Sequence, residues 1–298
     1  MNPKPFWNIL EQQISAAIGH PFTARQHCPI SGGCINQAWR VSDEAQEYFI
    51  KTNTAAGLAM FEAEAAGLAE LAASRTVRVP RPVCWGSIAG QAYLVLEYVP
   101  LGGSDTGRAM ETLGYQLALL HRQPQPYFGW QQDNTIGSTL QPNGRTENWI
   151  AFWREQRLAF QLQLAARNGH GSALQRQGEA LLAQFAVLFT GYLPIPSLLH
   201  GDLWSGNAGC TVQGNPVIFD PAVYYGDREA DLAMTELFGG FPERFYAAYR
   251  EIWPLDTGYP QRRTLYNLYH ILNHLNLFGG GYRSQAERMM GQLLAELR

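Results

Sequence analysis

The stretch Val99-Pro100-Leu101-Gly102-Gly103 separates two kinds of sequence, and any fold for this chain has to accommodate both. Before it, "CPISGGCINQAWRVS" reads as two strands joined through Gly32-Gly33, and "EYFIK" as a third strand ending at Lys51. "RPVCW" and "QAYLVLEYV" add two more. Between them "GLAMFEAEAAGLAELAA" has helical spacing, with Phe61, Leu68 and Leu71 on one stripe, and an N-terminal helix is expected at about Phe6 to Ile18. The proline and two glycines then end the strand pattern. Beyond them Met110, Leu113, Leu117 and Leu120 repeat at helical spacing behind Asp105, a plausible cap. A polar, aromatic loop is expected over 123–147. Helices are expected over Trp149–Arg167, Leu174–Phe189, Asp231–Phe238, Pro242–Ile252, Arg263–Phe278 and Gln285–Leu297, and "AGCTV" with "PVIFD" reads as a strand pair. The expected architecture is α+β in two lobes. A small antiparallel β-sheet lobe with one helix spans 1–100, and a larger, mainly helical lobe spans 101–298.

Composition narrows the function classes. With 298 residues and 46% hydrophobic content the chain can bury a substantial core, and only 16% charged residues leave little for disordered tracts. A net charge of −3 with scattered basic residues gives no footprint for nucleic acid. No apolar run approaches the roughly 18 residues of a membrane span. "MNPKPFWNIL" has no cationic-then-apolar export pattern. Cys28, Cys34, Cys84 and Cys210 are dispersed without a C-x-x-C pair, which argues against a disulfide framework or structural zinc and fits a reducing cytoplasm.

The chemistry concentrates in "LLHGDLWSGN", Leu198 to Asn207, and in Asp220 at the end of "PVIFD". Alone, the first segment fits an ordinary turn, since Gly, Asp, Ser and Asn are all turn formers. Followed by an apolar strand that ends in a carboxylate, it supplies the parts of phosphoryl transfer. Asp202 can accept a hydrogen bond from an attacking alcohol, while Asn207 and Asp220 offer the hard oxygen ligands that Mg²⁺ takes. Lys51 would reach the phosphates of a nucleotide. Glu64 sits on the apolar stripe of its helix, where an unpaired carboxylate is costly, and a Lys51–Glu64 ion pair resolves that cost; Glu62 points away from the stripe. "SGGCIN", with Gly32, Gly33 and Cys34, would cover the phosphates, although a plain hairpin turn has the same composition. Cys34 is either a redox-sensitive thiol or a buried inert one. The main chain from Glu97 through Val99 to Pro100 falls where the lobes join and would read an adenine edge. His200 braces the loop, and Asp231 either caps a helix or anchors the loop's backbone. His270 and His274 lie one helical turn apart, but no H-E-x-x-H pattern or third ligand accompanies them, and with Tyr266 they form a buried or substrate-facing stripe. Trp130, Trp149, Trp153, Trp204, Asn134, Asn267 and Asn273 are candidate sugar-binding side chains or simply core.

H-G-D-x-x-x-x-N followed by a strand ending in Asp resembles the catalytic and metal-binding segments of aminoglycoside-phosphotransferase-like kinases, so a protein-kinase-like fold is implied. "GGCIN", "HGDLWSGN", "FDPAVYYGDREADLAM", "LYNLYHILNHLNLFGGGY" and the loop "YFGWQQDNTIGSTLQPNGRTENWIAFWREQRL" together resemble the fructosamine kinase (ketosamine-3-kinase) family over nearly the whole chain. The resemblance implies ATP- and Mg²⁺-dependent phosphorylation of the O3 hydroxyl of ketosamines, such as fructosyl- or ribulosyl-lysine, by a cytoplasmic monomer or homodimer. The unstable product sheds its sugar, which repairs glycated amines. By that analogy Trp204, Asp133, Asn134 and His274 meet the substrate. A kinase for an aminoglycoside, choline or another amino alcohol is the alternative enzyme reading, and a nucleotide-binding pseudokinase scaffold the non-enzyme one.

Overall fold

A computed structural model describes residues 4–31, 35–103 and 106–297. Gly32, Gly33, Cys34 and the expected cap Asp105 lie outside the described residues. Strands β1 (Gln26–Ile30), β2 (Gln37–Ser42), β3 (Glu47–Thr54), β4 (Pro82–Ile88) and β5 (Gln91–Glu97) form one antiparallel sheet in the order β1-β2-β3-β5-β4. β3 runs past Lys51, its expected end, because its ladder with β5 continues to the pair Thr54 and Gln91.

The period of two in β5 builds both faces of this sheet. Ala92, Leu94 and Leu96 pack with Phe61, Leu68 and Leu71 of α2 (Leu58–Ala73), while Tyr93 and Val95 pack with Phe6, Leu10 and Ile14 of α1 (Lys4–Ile18). The N-terminal helix therefore closes the second face of the sheet, giving it two helices rather than one. The same alternation sends Tyr48 and Ile50 of β3 to the α1 face and leaves Lys51 on the face that carries Glu64.

Beyond the Pro-Gly-Gly junction the chain is mainly helical: α3 (Thr106–His121), α4 (Trp149–Phe152), a π-helical stretch Trp153–Ala159, α5 (Phe160–Arg167) and α6 (Ser172–Gln184), then α7 (Glu229–Leu237), α8 (Glu243–Ile252), α9 (Tyr259–Phe278) and α10 (Arg283–Glu296). α4, the π stretch and α5 run on without a break as the single helix expected over 149–167. Three short antiparallel pairs interrupt the helices: β6 (Asn134–Ile136) with β7 (Thr139–Gln141), β8 (Ser197–Leu199) with β11 (Tyr224–Gly226), and β9 (Ala208–Cys210) with β10 (Pro216–Ile218). Only the last was legible as a pair, and the expected loop 123–147 carries the first. No helix among the described residues is long and apolar enough to cross a membrane.

The hydrophobic core does not stop at residue 100. The α2 stripe and its side of β5 share one cluster with Leu113, Leu117 and Leu120 of α3 and with Leu265 and Leu268 of α9, and only the α1 face forms a separate cluster. At the junction, Gly102 N–H donates to the Cys210 carbonyl at 3.0 Å. A Cβ on Gly103 would lie 2.2 Å from the Thr211 carbonyl oxygen, so glycine is what lets the linker approach the chain leaving β9 this closely.

Candidate active site

The loop 200–207 leaves β8 and is shaped by its backbone before its side chains. Gly201 has φ +81°, and a Cβ there would sit 2.0 Å from the Ala222 carbonyl oxygen, so only glycine fits. Asp231, in the first turn of α7, accepts the backbone N–H of His200 at 2.7 Å and that of Gly201 at 2.8 Å. His121 Nε2 lies 3.2 Å from the same carboxylate and its Nδ1 lies 2.9 Å from the Tyr249 hydroxyl. Burial opposes ionisation of Asp231, but the His121 contact and the loop amides outweigh it and hold its pKa below the ordinary value. The loop is thus anchored on a buried carboxylate. The His200 ring accepts from Asp202 N–H at Nδ1 (3.3 Å), so its Nε2–H donates to the Phe219 carbonyl at 3.0 Å. Burial lowers its pKa and keeps it a neutral bracket between the loop and the residue preceding Asp220.

Five of the expected side chains form two bonded groups that the backbone joins. Asn207 Nδ2 donates to the Asp202 carbonyl at 2.9 Å and to Asp202 Oδ2 at 3.2 Å, while its own backbone carbonyl accepts from Phe219 N–H at 3.0 Å. Its Nδ2 donor is so engaged within the loop. Asp220 follows buried Val217 and Ile218, and its φ of +57° is the left-handed conformation that few non-glycine residues adopt. Lys51 Nζ reaches Glu64 Oε1 at 2.7 Å and Asp220 Oδ1 at 2.6 Å. Burial opposes the lysine's charge, yet Asp220 and Glu64 together raise its pKa and hold it protonated. Glu62 is exposed, so Glu64 is the partner that the apolar stripe selected. The Asp202 carboxyl is pushed up to about 7, first by removal from water and then by the charge of Asp220, against the Asn207 hydrogen bond that favours ionisation. A carboxylate poised there can take up a proton near neutral pH.

The remaining candidates divide. Trp204 is 36% exposed and meets Phe238 edge-on at 6.0 Å. Phe238 in turn lies 5.0 Å from the His274 ring, which also contacts Phe278 and Tyr282. Trp204, on the 200–207 loop, and His274 therefore share one aromatic wall through Phe238. His274 Nδ1–H donates to the His270 carbonyl at 2.8 Å, which leaves Nε2 as its free polar atom. Phe238 was not singled out in the sequence, because an aromatic at a helix end looks like ordinary core. Glu97 ends β5 and Val99 lies on the linker after it, and the Glu97 carboxylate is held by Arg78 at 2.6 Å and 3.0 Å. Its side chain is thereby committed. Asp133 and Asn134 are both hydrogen-bonded to the segment around β6 and β7. Asp133 Oδ1 accepts from Asn143 N–H at 2.8 Å. Buried Asn134 donates to the Val223 carbonyl and accepts from Gln141 and Asn143 at 2.8–2.9 Å. The Asn134 bonds fasten the β6–β7 hairpin to the segment after Asp220.

An α+β fold with an antiparallel sheet over a helical body, carrying a paired lysine, a loop aspartate–asparagine couple and a strand-end aspartate, defines a protein-kinase-like phosphotransferase. A solved aminoglycoside phosphotransferase shares the fold at TM-score 0.64 with 14% identity, covering 96% of this chain and 98% of that one. The family model described as fructosamine kinase matches residues 6–296, and the chain belongs to that family. A probable ketoamine kinase of Synechocystis sp. is 50% identical over 294 residues, 98% of each chain. The crystal structure of a putative fructosamine-3-kinase from Haemophilus somnus superposes at TM-score 0.88 with 30% identity, covering 96% of each chain.

Proposed function

We propose that the chain transfers the γ-phosphoryl group of ATP to the O3 hydroxyl of a ketosamine, a fructosyl or ribulosyl adduct of an amine or of a protein lysine. The new bond joins O3 to the γ-phosphorus as the bond to the β-phosphate oxygen breaks, and the O3 proton passes to Asp202. The phosphorylated product is unstable and sheds its sugar, which frees the amine. Lys51, oriented by Glu64, holds the phosphates, and the main chain from Glu97 to Val99 takes the adenine. Asn207 Oδ1 and the Asp220 oxygen not bonded to Lys51 are hard oxygen donors suited to Mg²⁺. Bound there, Mg²⁺ neutralises phosphate charge. Trp204 and His274 supply an apolar platform and one polar atom for the sugar, and free thiols at Cys28, Cys84 and Cys210 support a reducing cytoplasm as the compartment.

The observation that carries this reading is the bonded set itself. Lys51 bonds Asp220 directly, and the Asp220 segment is tied through His200 and Asn207 to Asp202. The test is ADP release by the purified protein with fructosyl-lysine, ribulosyl-lysine, an aminoglycoside and choline. Turnover with a ketosamine alone is expected. Turnover with choline or the aminoglycoside but no ketosamine overturns the substrate assignment, and nucleotide binding without turnover on any acceptor overturns the enzyme.

A further inference from the structure

Arg157 lies in the π-helical stretch and is fully buried beside Trp153, one turn before it. No carboxylate pairs with it among the described residues. Burying a guanidinium without a counter-charge costs several kcal/mol, and Arg157 differs in this from the equally buried Arg262, which pairs with Glu229 and Asp256. Its Nη1 donates to the Pro142 carbonyl at 2.5 Å and the Gln156 carbonyl at 3.0 Å, its Nη2 donates to Asn143 Oδ1 at 2.7 Å, and its Nε has no partner. Its guanidinium carbon lies 4.2 Å from the Tyr224 ring centroid and 4.6 Å from that of Phe152, distances at which a desolvated cation is held by the ring faces.

Both sets of contacts lead to catalytic segments. The Tyr224 ring packs on the loop that bears Asp202, since a Cβ at Gly201 would lie 3.3 Å from its Cε1. Pro142 and Asn143 directly follow the β6–β7 hairpin. From that hairpin Gln141 Nε2 donates to the Ala222 carbonyl at 3.1 Å and Asn134 Nδ2 to the Val223 carbonyl at 2.8 Å, immediately after Asp220 and Pro221. Asn143 joins the same network through Asn134 Oδ1. One guanidinium therefore braces both halves of the site without touching either acid.

We propose that Arg157 is the positioning residue that fixes Asp220 relative to Asp202. The proposal rests on the kinase reading above. Arg157→Met removes the charge and keeps the apolar stem; Arg157→Lys keeps the charge but cannot hold Pro142 and Asn143 while lying flat on Tyr224. In Arg157→Met, kcat is expected to fall about 10²-fold while the KM values for ATP and ketosamine stay within about threefold, because placement and not binding is lost. Arg157→Lys is expected to recover roughly tenfold of that loss. Hydrogen exchange on the full chain gives a readout that needs no substrate: amides of 200–207 and 220–226 lose protection while those of β2, β3 and β5 keep theirs. An unchanged kcat in a folded Arg157→Met protein, or a uniform rise in exchange across the chain, overturns the proposal. If Arg157→Met does not fold, Arg157→Lys decides: wild-type kcat and exchange there overturn it equally. Absence of ketosamine turnover by the wild-type protein rejects the substrate assignment instead, and the exchange comparison still judges Arg157.

Discussion

Replacing Asp202 by asparagine is expected to abolish most turnover and to stabilise the fold at the same time. The carboxyl is displaced from 3.8 to about 7 by burial and by Asp220, so the folded protein resists the ionisation that the unfolded chain undergoes readily. A gap of about three pH units at ~1.4 kcal/mol each amounts to ~4 kcal/mol if the group were wholly sealed. Asp202 keeps some solvent contact, which reduces the expected gain to ~1–2 kcal/mol. The sign follows from the direction of the shift. Between about pH 4 and pH 7 the unfolded wild type binds fewer protons than the folded one, so wild-type stability falls as pH rises through this window and then levels off. The amide of the Asp202→Asn variant does not titrate, so the stability difference should open across the same window and stay constant above about pH 7. Denaturant unfolding of both proteins at several pH values measures it, with ADP release as the parallel assay. Loss of the base should cost about 10²–10⁴ in kcat/KM with ATP still bound. A variant as active as wild type refutes the assigned base. A variant less stable than wild type at pH 8 refutes the claim that the carboxylate is held against its environment.

Four further outcomes follow from the same geometry. In wild type, kcat/KM should fall on the acid side of about pH 7, because the raised pKa keeps Asp202 protonated below it; a profile flat down to about pH 5.5 contradicts this. Glu64→Gln leaves Lys51 leaning on Asp220, with an expected loss of about 10²-fold in kcat/KM for ATP and ~1–2 kcal/mol of stability. Values within threefold of wild type for that variant would remove the pair from the mechanism. Gly201→Ala places a methyl 2.0 Å from the Ala222 carbonyl oxygen at a positive φ and should cost ~3 kcal/mol or more by thermal or denaturant unfolding. Trp204→Leu touches an exposed side chain, so stability should stay within ~0.5 kcal/mol while the KM for ketosamine rises about tenfold; an unchanged KM argues against the aromatic platform.

The sequence revealed most where chemistry and periodicity coincide. Glu64 was legible because a carboxylate on an apolar helical stripe needs a partner, and Lys51 two residues from Phe49 faces that stripe. Asp202, Asn207 and Asp220 were legible from spacing and from the strand that ends just before Asp220. What stayed hidden depends on pairing across long separations. β8 and β11 are three residues each, too short to show a period, and they meet only because the loop between them folds back. His121 looks like the end of an amphipathic helix until Asp231 is seen against it. Asn134 has the composition of a sugar ligand, yet its amide is engaged by a hairpin that the sequence presents as a loop. Arg157 gave no signal at all, since an arginine in a helical pattern is ordinarily a solvated one.

The position of α2 follows from the same bracing. Glu70, near the end of that helix, accepts from Trp130 Nε1–H at 2.7 Å and from the Tyr225 hydroxyl, so the helix is tied to β11 at one point and to Lys51 through Glu64 at another. Between them, a Cβ at Gly67 would come within 2.9 Å of a Val223 methyl, which shows how closely α2 lies on the segment after Asp220. In kinases that switch, the helix bearing this glutamate and the segment after the metal-binding aspartate are the parts that control activity. Here one packed unit holds both: the helix buries its stripe in the same core as α3 and α9, and the segment is hydrogen-bonded on one side to the β6–β7 hairpin and packed on the other against α2. Displacing either would break a continuous core, which costs more than the ion pairs it would rearrange. The geometry of Lys51, Glu64 and Asp220 is therefore a property of the folded core.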